Sequence, residues 1–268
     1  ESIKRNKTEI YFLIKLFGIM KHLIFVLMFI SISIMQSGCL RTYYPAVYYS
    51  SAPVMVSETN NNPELYSNYL GLDYTIGQAG YENENIQMMK LNFLMANTQD
   101  HTNFNLEGFG YTGGYRVSGL DGKFDANYDG DKTFIGLGTD LKFNVNFKFN
   151  KVKLGIGLNL GMGIEFGEYY EFRKNAGNKQ VIDDENSLIF LMFSGSPMIS
   201  YEFSESTILS AQVNAGIPGV LSPSIVLNHN RFTYWITWLP DKNISDNYYG
   251  TRITFGVMIG LQDLHLNF

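Results

Sequence analysis

The chain has 268 residues and a formal net charge of −5, and aromatic residues make up 15% of it, with 20 Phe and 18 Tyr beside 26 Gly. This length allows one large domain or two small ones. The mildly acidic balance, without a basic block, gives no indication of nucleic-acid binding, and the single cysteine excludes a disulfide within the chain.

The N-terminal region has the pattern of a secretory signal peptide. A short basic start, Met20-Lys21-His22, precedes an apolar stretch over residues 23–35. We therefore interpret residues 20–38 as a cleaved signal peptide and residues 1–19 as an upstream, non-native segment. An uncleaved membrane helix over residues 11–35 is the alternative, although the charged side chains in that stretch would be costly inside a membrane.

The predicted signal peptide ends in Gln36-Ser37-Gly38-Cys39. This sequence resembles the lipobox of bacterial lipoproteins, in which small residues precede a cysteine that receives lipid. Ser37, Gly38 and Cys39 match that pattern, whereas Gln36 departs from the usual aliphatic residue. The resemblance implies that Cys39 becomes the acylated, palmitate-carrying first residue of the mature chain. In the alternative interpretation, an ordinary signal peptide is cleaved and Cys39 is incidental.

Residues 39–65 are predicted to be a tether between this lipid and the folded domain. Tyrosines and prolines follow Cys39, and a polar run extends from Ser57 to Pro63. Prolines and asparagine clusters oppose regular structure, so we expect no helix or strand here.

From residue 66 onward, apolar and polar residues alternate in successive runs. Side chains on a strand point to opposite faces in turn, so each run predicts a strand with one apolar and one polar face. The clear runs lie near residues 70–76, 89–95, 104–118, 135–149, 152–166, 188–203, 209–217 and 253–261.

The longest alternation forms a hairpin over residues 135–149 and 152–166, with a turn at Asn150-Lys151. In this register Phe149 opposes Val152 and Phe143 opposes Leu158, so the apolar side chains share one face. About fifteen alternating residues per strand exceed the five or six usual in soluble proteins. The polar face is largely Gly and Asn, which suits a crowded lumen. The pattern therefore indicates transmembrane barrel strands, apolar outside and polar inside.

The predicted fold is all-β: an antiparallel, up-and-down transmembrane β-barrel over residues 66–268. Eight strands account for the clear runs, and short turns alternate with long polar loops, one of them predicted at residues 168–186. Weaker alternation at residues 224–230 and 232–239 allows an added hairpin, so ten strands are the alternative. Pro197 predicts a bulge in the sixth strand, because proline has no amide to donate.

The C-terminal sequence ends in Phe268 and resembles the closing signal of bacterial outer-membrane barrels, which usually ends on an aromatic residue. Together with the signal peptide, lipobox, tether and strand pattern, it makes residues 39–268 resemble the lipid-anchored outer-membrane β-barrel proteins of Bacteroidota, a Gram-negative group. The resemblance implies an outer-membrane location, anchoring through Cys39, and outer-membrane lipid and the barrel-assembly machinery as partners. It implies no particular activity.

One loop contains the beginning of a calcium-binding pattern. Asp125, Asn127 and Asp129, followed by a glycine, offer oxygen ligands at every second residue. The twelfth position from Asp125 is Gly136 instead of the bidentate glutamate, which excludes an EF-hand. A solvated Asp- and Gly-rich hairpin loop without metal is the alternative interpretation.

Two further groups of residues are candidates for chemistry. Asp140, Lys142 and Glu165 are predicted to point into the lumen, where a buried ionic network is favoured over conduction because eight strands leave little interior space. His229 is near two serines in sequence, but no acyl-hydrolase motif accompanies it. We interpret His229 as a loop or girdle residue and predict no catalytic residues.

These features predict a non-enzymatic outer-membrane lipoprotein with a structural or loop-mediated binding role at the cell envelope, and without a cofactor other than the calcium considered above. The alternatives are a narrow small-solute pore, an outer-membrane lipid-modifying enzyme, and a soluble periplasmic lipocalin-like lipoprotein. The last alternative requires the apolar faces of the hairpin, including Phe143 and Leu158, to point into a cavity.

Overall fold

A computed structural model of the protein describes residues 41–50, 67–98, 102–121, 128–182, 187–217, 221–243 and 248–261. Its strands form a closed antiparallel barrel in which sequence neighbours pair and the first strand pairs with the tenth. The strands are β1 (Ser67–Gln78), β2 (Asn85–Thr98), β3 (Thr102–Val117), β4 (Gly130–Phe149), β5 (Val152–Phe166), β6 (Ile189–Ser204), β7 (Thr207–Ile217), β8 (Ser222–His229), β9 (Phe232–Asn243) and β10 (Tyr248–Gly260). Helix α1 (Glu168–Asn178) follows β5, and a short 3-10 helix covers Ala46–Tyr49.

The predicted all-β barrel is confirmed, but the preferred count of eight strands is wrong and the alternative of ten is correct. The added strands, β8 and β9, are the hairpin that the weaker alternation allows. Strand β8 has only 8 residues, so its alternating signal is short. The predicted hairpin register is confirmed, because Phe149 opposes Val152 and Phe143 opposes Leu158.

Pro197 does not introduce the predicted bulge. The register of β6 with β7 is the same on both sides of it, from Gly195 opposite Ala215 to Met198 opposite Gln212, and the intervening pairs are absent from the ladder. The missing proline amide is therefore accommodated by an interrupted ladder and not by an extra residue.

The apolar face of the barrel points outward. Phe143 and Leu158 are 45% and 43% exposed, and each strand carries exposed large apolar side chains. A continuous outward apolar surface of this kind needs hydrocarbon around it, as in outer-membrane barrels. The protein is therefore a membrane-embedded β-barrel of the outer-membrane type, and its faces are opposite to those that a soluble lipocalin-like barrel requires.

Glycines on the inward face make room for large rings on the neighbouring strand. A Cβ atom at Gly136 would lie 2.2 Å from Cζ of Tyr111, and a Cβ atom at Gly163 would lie 2.4 Å from Cζ of Phe190. Each ring occupies the space that a side chain on the paired residue would take. The Gly-rich face therefore allows aromatic side chains to pack across the inside of the barrel wall.

This packing gives a prediction for Gly163. We expect Gly163→Ala to lower the free energy of unfolding by about 1–3 kcal/mol, because the added methyl overpacks an already filled site. Its Cβ atom would meet the Phe190 ring and lie 2.5 Å from the backbone oxygen of Leu137. Urea unfolding in detergent measures the change. The matched control is Gly108→Ala on β3, where a Cβ atom meets nothing within 4 Å; equal effects of the two substitutions would contradict this reasoning.

The two ends of the barrel differ in the length of their connections. At the turn end, residues 99–101, 150–151, 205–206 and 230–231 join strands directly, whereas at the loop end the connections include residues 79–84, 118–129 and 167–188. Outer-membrane barrels have short periplasmic turns and longer extracellular loops, so we assign the loop end to the outside. Strand β1 begins, and β10 finishes, at the turn end.

Helix α1 occupies the segment that the sequence predicts to be a polar loop. Its buried residues Tyr169, Phe172 and Ala176 share one face, and the acidic residues of its first turn suit the helix dipole. Only this narrow stripe is apolar, and polar residues make up the rest of the helix. The sequence therefore shows too few apolar residues to reveal the helical period of 3.6 residues. In the described part of the chain, no helix has the length and apolarity needed to cross a membrane.

Candidate functional site

Residues 41–50, part of the predicted tether, lie inside the loop end of the barrel, and we call them the plug. Tyr43, Ala46, Val47 and Tyr49 are each at most 5% exposed. They share one buried cluster with α1, with loop residues, and with inward rings of β3, β4 and β6. The plug therefore fills the outer mouth of the barrel instead of extending away from it.

Glu84, in the loop between β1 and β2, holds the plug to the barrel. Its Oε1 accepts from the Tyr43 hydroxyl at 2.6 Å, and its Oε2 accepts from the Tyr115 hydroxyl at 2.6 Å. The Ser118 amide donates to Oε1 at 3.2 Å, and Nη1 of Arg41 lies 3.6 Å from the same oxygen. One buried carboxylate thus joins two plug residues to β3 and to the loop that follows it.

Burial dominates the electrostatics of this site. It raises the pKa of the Glu84 carboxyl above its usual range, while the hydrogen bonds from Tyr115 and Tyr43 act in the opposite direction. Burial also raises the pKa of the Tyr43 hydroxyl, an effect that the Glu84 charge strengthens, and it raises the pKa of Tyr49 in the same way. Both phenols therefore stay protonated at physiological pH, and Tyr43 remains a hydrogen-bond donor.

Glu165, near the end of β5, is a second attachment point. The Ala46 amide donates to its Oε2 at 2.6 Å, the Tyr111 hydroxyl donates to the same oxygen at 3.1 Å, and Nη2 of Arg173 donates to Oε1 at 3.0 Å. Glu165 therefore links the plug, the barrel wall and α1. The sequence predicts an inward Glu165, but Arg173 is missed because it lies in a segment predicted to be a loop.

Aromatic stacking completes the closure. Tyr43 packs edge-on against Phe172 of α1 with ring centroids 5.2 Å apart, and Tyr49 packs against Tyr115 at 5.3 Å. Tyr115 in turn stacks on Tyr169 at 4.5 Å. Aromatic contacts of this kind add about 0.5–1.5 kcal/mol each beyond area burial. The plug, the helix and the wall thus form one packed aromatic body.

A group of buried charges occupies the centre of the lumen on β1 to β4. Nζ of Lys90 lies 3.3 Å from Oδ2 of Asp73, and the Lys142 ammonium pairs with the Glu107 carboxylate. Asp140 stands directly opposite Glu107 in the ladder. We call these five residues the central charges. Asp140 and Lys142 thus lie together, whereas Glu165 lies apart at the loop end. Asp73, Lys90 and Glu107 are not among the candidates from the sequence, although the alternation of apolar and polar residues also places them on the inward face.

The inner wall on the other side is neutral. Strands β6 to β9 present hydroxyl and amide side chains, which pair across strands, as in the Ser200–Ser210 contact at 2.8 Å and the Ser224–Thr237 contact at 2.7 Å. The same strands also bury apolar side chains on this face, among them Met192, Met198 and Trp235. The lumen is therefore lined asymmetrically, by charges on one wall and by uncharged polar and apolar groups on the other.

The remaining candidates from the sequence contribute little to this site. Cys39, Asp125 and Asn127 lie outside the described residues. Asp129 accepts the backbone amides of residues 119 and 120 at 2.8 Å and so orders its own loop. His229, at the turn end, bonds the Thr207 hydroxyl at 3.0 Å. Among the residues described, no group of three or more His, Cys, Asp and Glu side chains could hold a metal.

Comparison with known proteins finds similar barrels and no sequence family. No family model matches the chain, and no curated protein matches its sequence. The chain is similar to Neisserial surface protein A, with 11% identity, a TM-score of 0.31, and coverage of 72% of this chain and 96% of that one. It is similar to an outer-membrane channel from Pseudomonas putida F1, with 10% identity, a TM-score of 0.43, and coverage of 78% and 100%. OprG from Pseudomonas aeruginosa has 10% identity, a TM-score of 0.33, and coverage of 72% and 93%. Values this low add nothing about function, so the membrane assignment rests on the outward apolar face.

Proposed function

We propose that the protein is a non-enzymatic outer-membrane lipoprotein with a closed barrel, whose outer loops have a structural or binding role at the cell envelope. The observation that supports this most is the plug, which buries five residues in the outer mouth and is held by Glu84 and Glu165. A permanently open pore needs a continuous hydrated path through this region. The loops around the plug lie at the outer face of the barrel, where a binding partner can contact them.

A small-solute pore is the second candidate, and the central charges favour it. Charged groups that line one wall of a lumen can select solutes by charge. In this protein a conducting state would first require the plug to leave the mouth, so this candidate is a gated pore and differs from the closed barrel in its response to plug release.

Solute permeation tests the proposal. Liposomes that contain the purified full chain should swell in an isosmotic solution of arabinose no faster than protein-free liposomes, because the plug blocks the outer mouth. Liposomes with an open porin provide the positive control. Swelling of the wild-type liposomes at a rate comparable to the porin control would overturn the closed-barrel proposal and favour the pore.

The lipid anchor is a separate part of the proposal. It rests on the lipobox-like sequence before Cys39, and it makes outer-membrane lipid and the barrel-assembly machinery the expected partners. Cells that express the wild type should incorporate labelled palmitate into the protein, and the Cys39→Ser variant should not. Equal incorporation into both proteins would contradict acylation at Cys39.

A further inference from the structure

The described part of the chain buries five carboxylates in the barrel and its mouth, and all but one of them have a cationic partner. The pairs are Asp73–Lys90 at 3.3 Å, Glu84–Arg41 at 3.6 Å, Glu165–Arg173 at 3.0 Å, and Glu107–Lys142. The exception is Asp140, which is 1% exposed. Among the described residues, no cationic side chain comes within salt-bridge distance of its carboxyl group.

The Asp140 carboxyl group also receives no hydrogen bond from the described residues at either of its oxygens. It leans towards β5, because a Cβ atom at Gly161, its partner in the ladder, would lie 1.7 Å from Oδ1 of Asp140. The Lys142 ammonium points the other way, to Glu107 on β3. A buried carboxylate without an opposite charge or a donor is strongly unfavourable, so Asp140 needs a positive charge that these residues do not supply.

Two buried polar side chains on the next two strands lie on the same side of Asp140. Asn159 on β5 lies beside the Asp140 carboxyl group and diagonal to it in the ladder, and Ser194 on β6 is directly opposite Asn159. Within the described structure, neither the Asn159 amide group nor the Ser194 hydroxyl has a hydrogen-bond partner. Opposite side chains on neighbouring strands have Cβ atoms about 5 Å apart, and diagonal ones less than about 8 Å apart. Oxygens of all three residues can therefore converge on one bound atom.

A carboxylate, an amide oxygen and a hydroxyl are ligands that suit a hard cation. One unpaired carboxylate matches a single positive charge, and the described residues contain no group of three or more His, Cys, Asp and Glu side chains for a multivalent metal. We propose that Asp140, Asn159 and Ser194 bind a small monovalent cation of the sodium type inside the lumen. The cation neutralises Asp140 and so stabilises the barrel. This inference depends neither on acylation of Cys39 nor on a partner of the loops.

Thermal unfolding of the purified full chain in detergent tests the site. Sodium chloride is replaced stepwise by choline chloride at constant chloride concentration, because choline is too large to fit between these side chains. Sodium at about ten to a hundred times its dissociation constant should raise the wild-type midpoint by roughly 3–10 °C. Asp140→Asn keeps the size of the side chain but removes its charge, so its midpoint should not depend on sodium. Asp131→Asn changes an exposed aspartate of the same strand and should respond to sodium as the wild type does.

The inference is wrong if the wild type unfolds at the same temperature in sodium and choline chloride, since a proton then neutralises Asp140. It is also wrong if Asp140→Asn gains as much from sodium as the wild type, because sodium then acts elsewhere. Ser194→Ala is the second variant, in case Asp140→Asn does not fold. It keeps the charge but loses one oxygen ligand, so it should need roughly two- to tenfold more sodium for the same rise in midpoint. An unchanged sodium dependence of Ser194→Ala would overturn the proposed ligand set.

Discussion

Replacing Lys142 by methionine is expected to lower the free energy of unfolding by about 3–5 kcal/mol, because it leaves the Glu107 carboxylate buried without its partner. Both side chains of this pair are at most 2% exposed. Asp140 stands opposite Glu107, so the substitution also leaves two like charges facing each other. Urea unfolding in detergent measures the decrease in the free energy of unfolding. The folded fraction is read from the difference in gel mobility between folded and heat-denatured protein.

Two further variants make this prediction specific. Lys148→Met removes a partly exposed ammonium, 53% accessible, from Glu202, which also pairs with Lys153; its cost should be at most about 1 kcal/mol. The double variant Lys142→Met with Glu107→Gln should recover part of the loss, since no unpaired carboxylate then remains at position 107. Equal destabilisation by Lys142→Met and Lys148→Met would mean that the central charges are not buried as described.

Replacing Glu84 by alanine is expected to release the plug and permit ion flow. The substitution removes the acceptor for Tyr43, Tyr115 and the Ser118 amide. Unpaired buried donors cost about 1–3 kcal/mol each, so the plug should lose about 3 kcal/mol or more of binding free energy to the mouth. Planar-bilayer recording should show opening events in Glu84→Ala that are absent from the wild type.

The neighbouring residue Glu82 provides the matched control, because it lies in the same loop and is exposed. Glu82→Ala changes the loop charge equally without removing a buried acceptor, so it should remain silent in the bilayer. If Glu84→Ala is also silent and its thermal stability equals that of the wild type, Glu84 does not hold the plug. If Glu84→Ala loses stability but stays silent, the lumen below the plug blocks ions by itself.

The barrel could be predicted from the sequence because apolar and polar residues alternate with a period of two residues, and this pattern recurs in many segments. The alternation over residues 135–166 fixes which face is apolar, and the outward faces of β4 and β5 agree with it. The sequence allows either eight or ten strands for a physical reason. Strand β8 is short and has Pro223 as its second residue. Its few alternating residues are therefore difficult to distinguish from a long loop.

The plug could not be predicted by the same means. Residues 41–50 have no periodicity, and their single proline and four tyrosines are equally compatible with an irregular tether. Their order comes from contacts with residues far away in the sequence, such as Ala46 with Glu165 and Tyr43 with Glu84. Hydrogen bonds between positions 41 and 119 residues apart leave no local pattern. Helix α1 was missed because only one narrow face is apolar.

Hydrogen–deuterium exchange of the full chain in lipid nanodiscs tests the central claim most directly, since it reports whether residues 41–50 are seated in the barrel. The amides of Thr42, Ala46 and Ser50 donate to Tyr81, Glu165 and Val47 respectively. A seated plug predicts that peptides covering these amides exchange over minutes to hours, at rates similar to those of the barrel strands. Complete exchange within seconds, as in an exposed tail, would show that the mouth is open and that the account of a closed barrel is wrong.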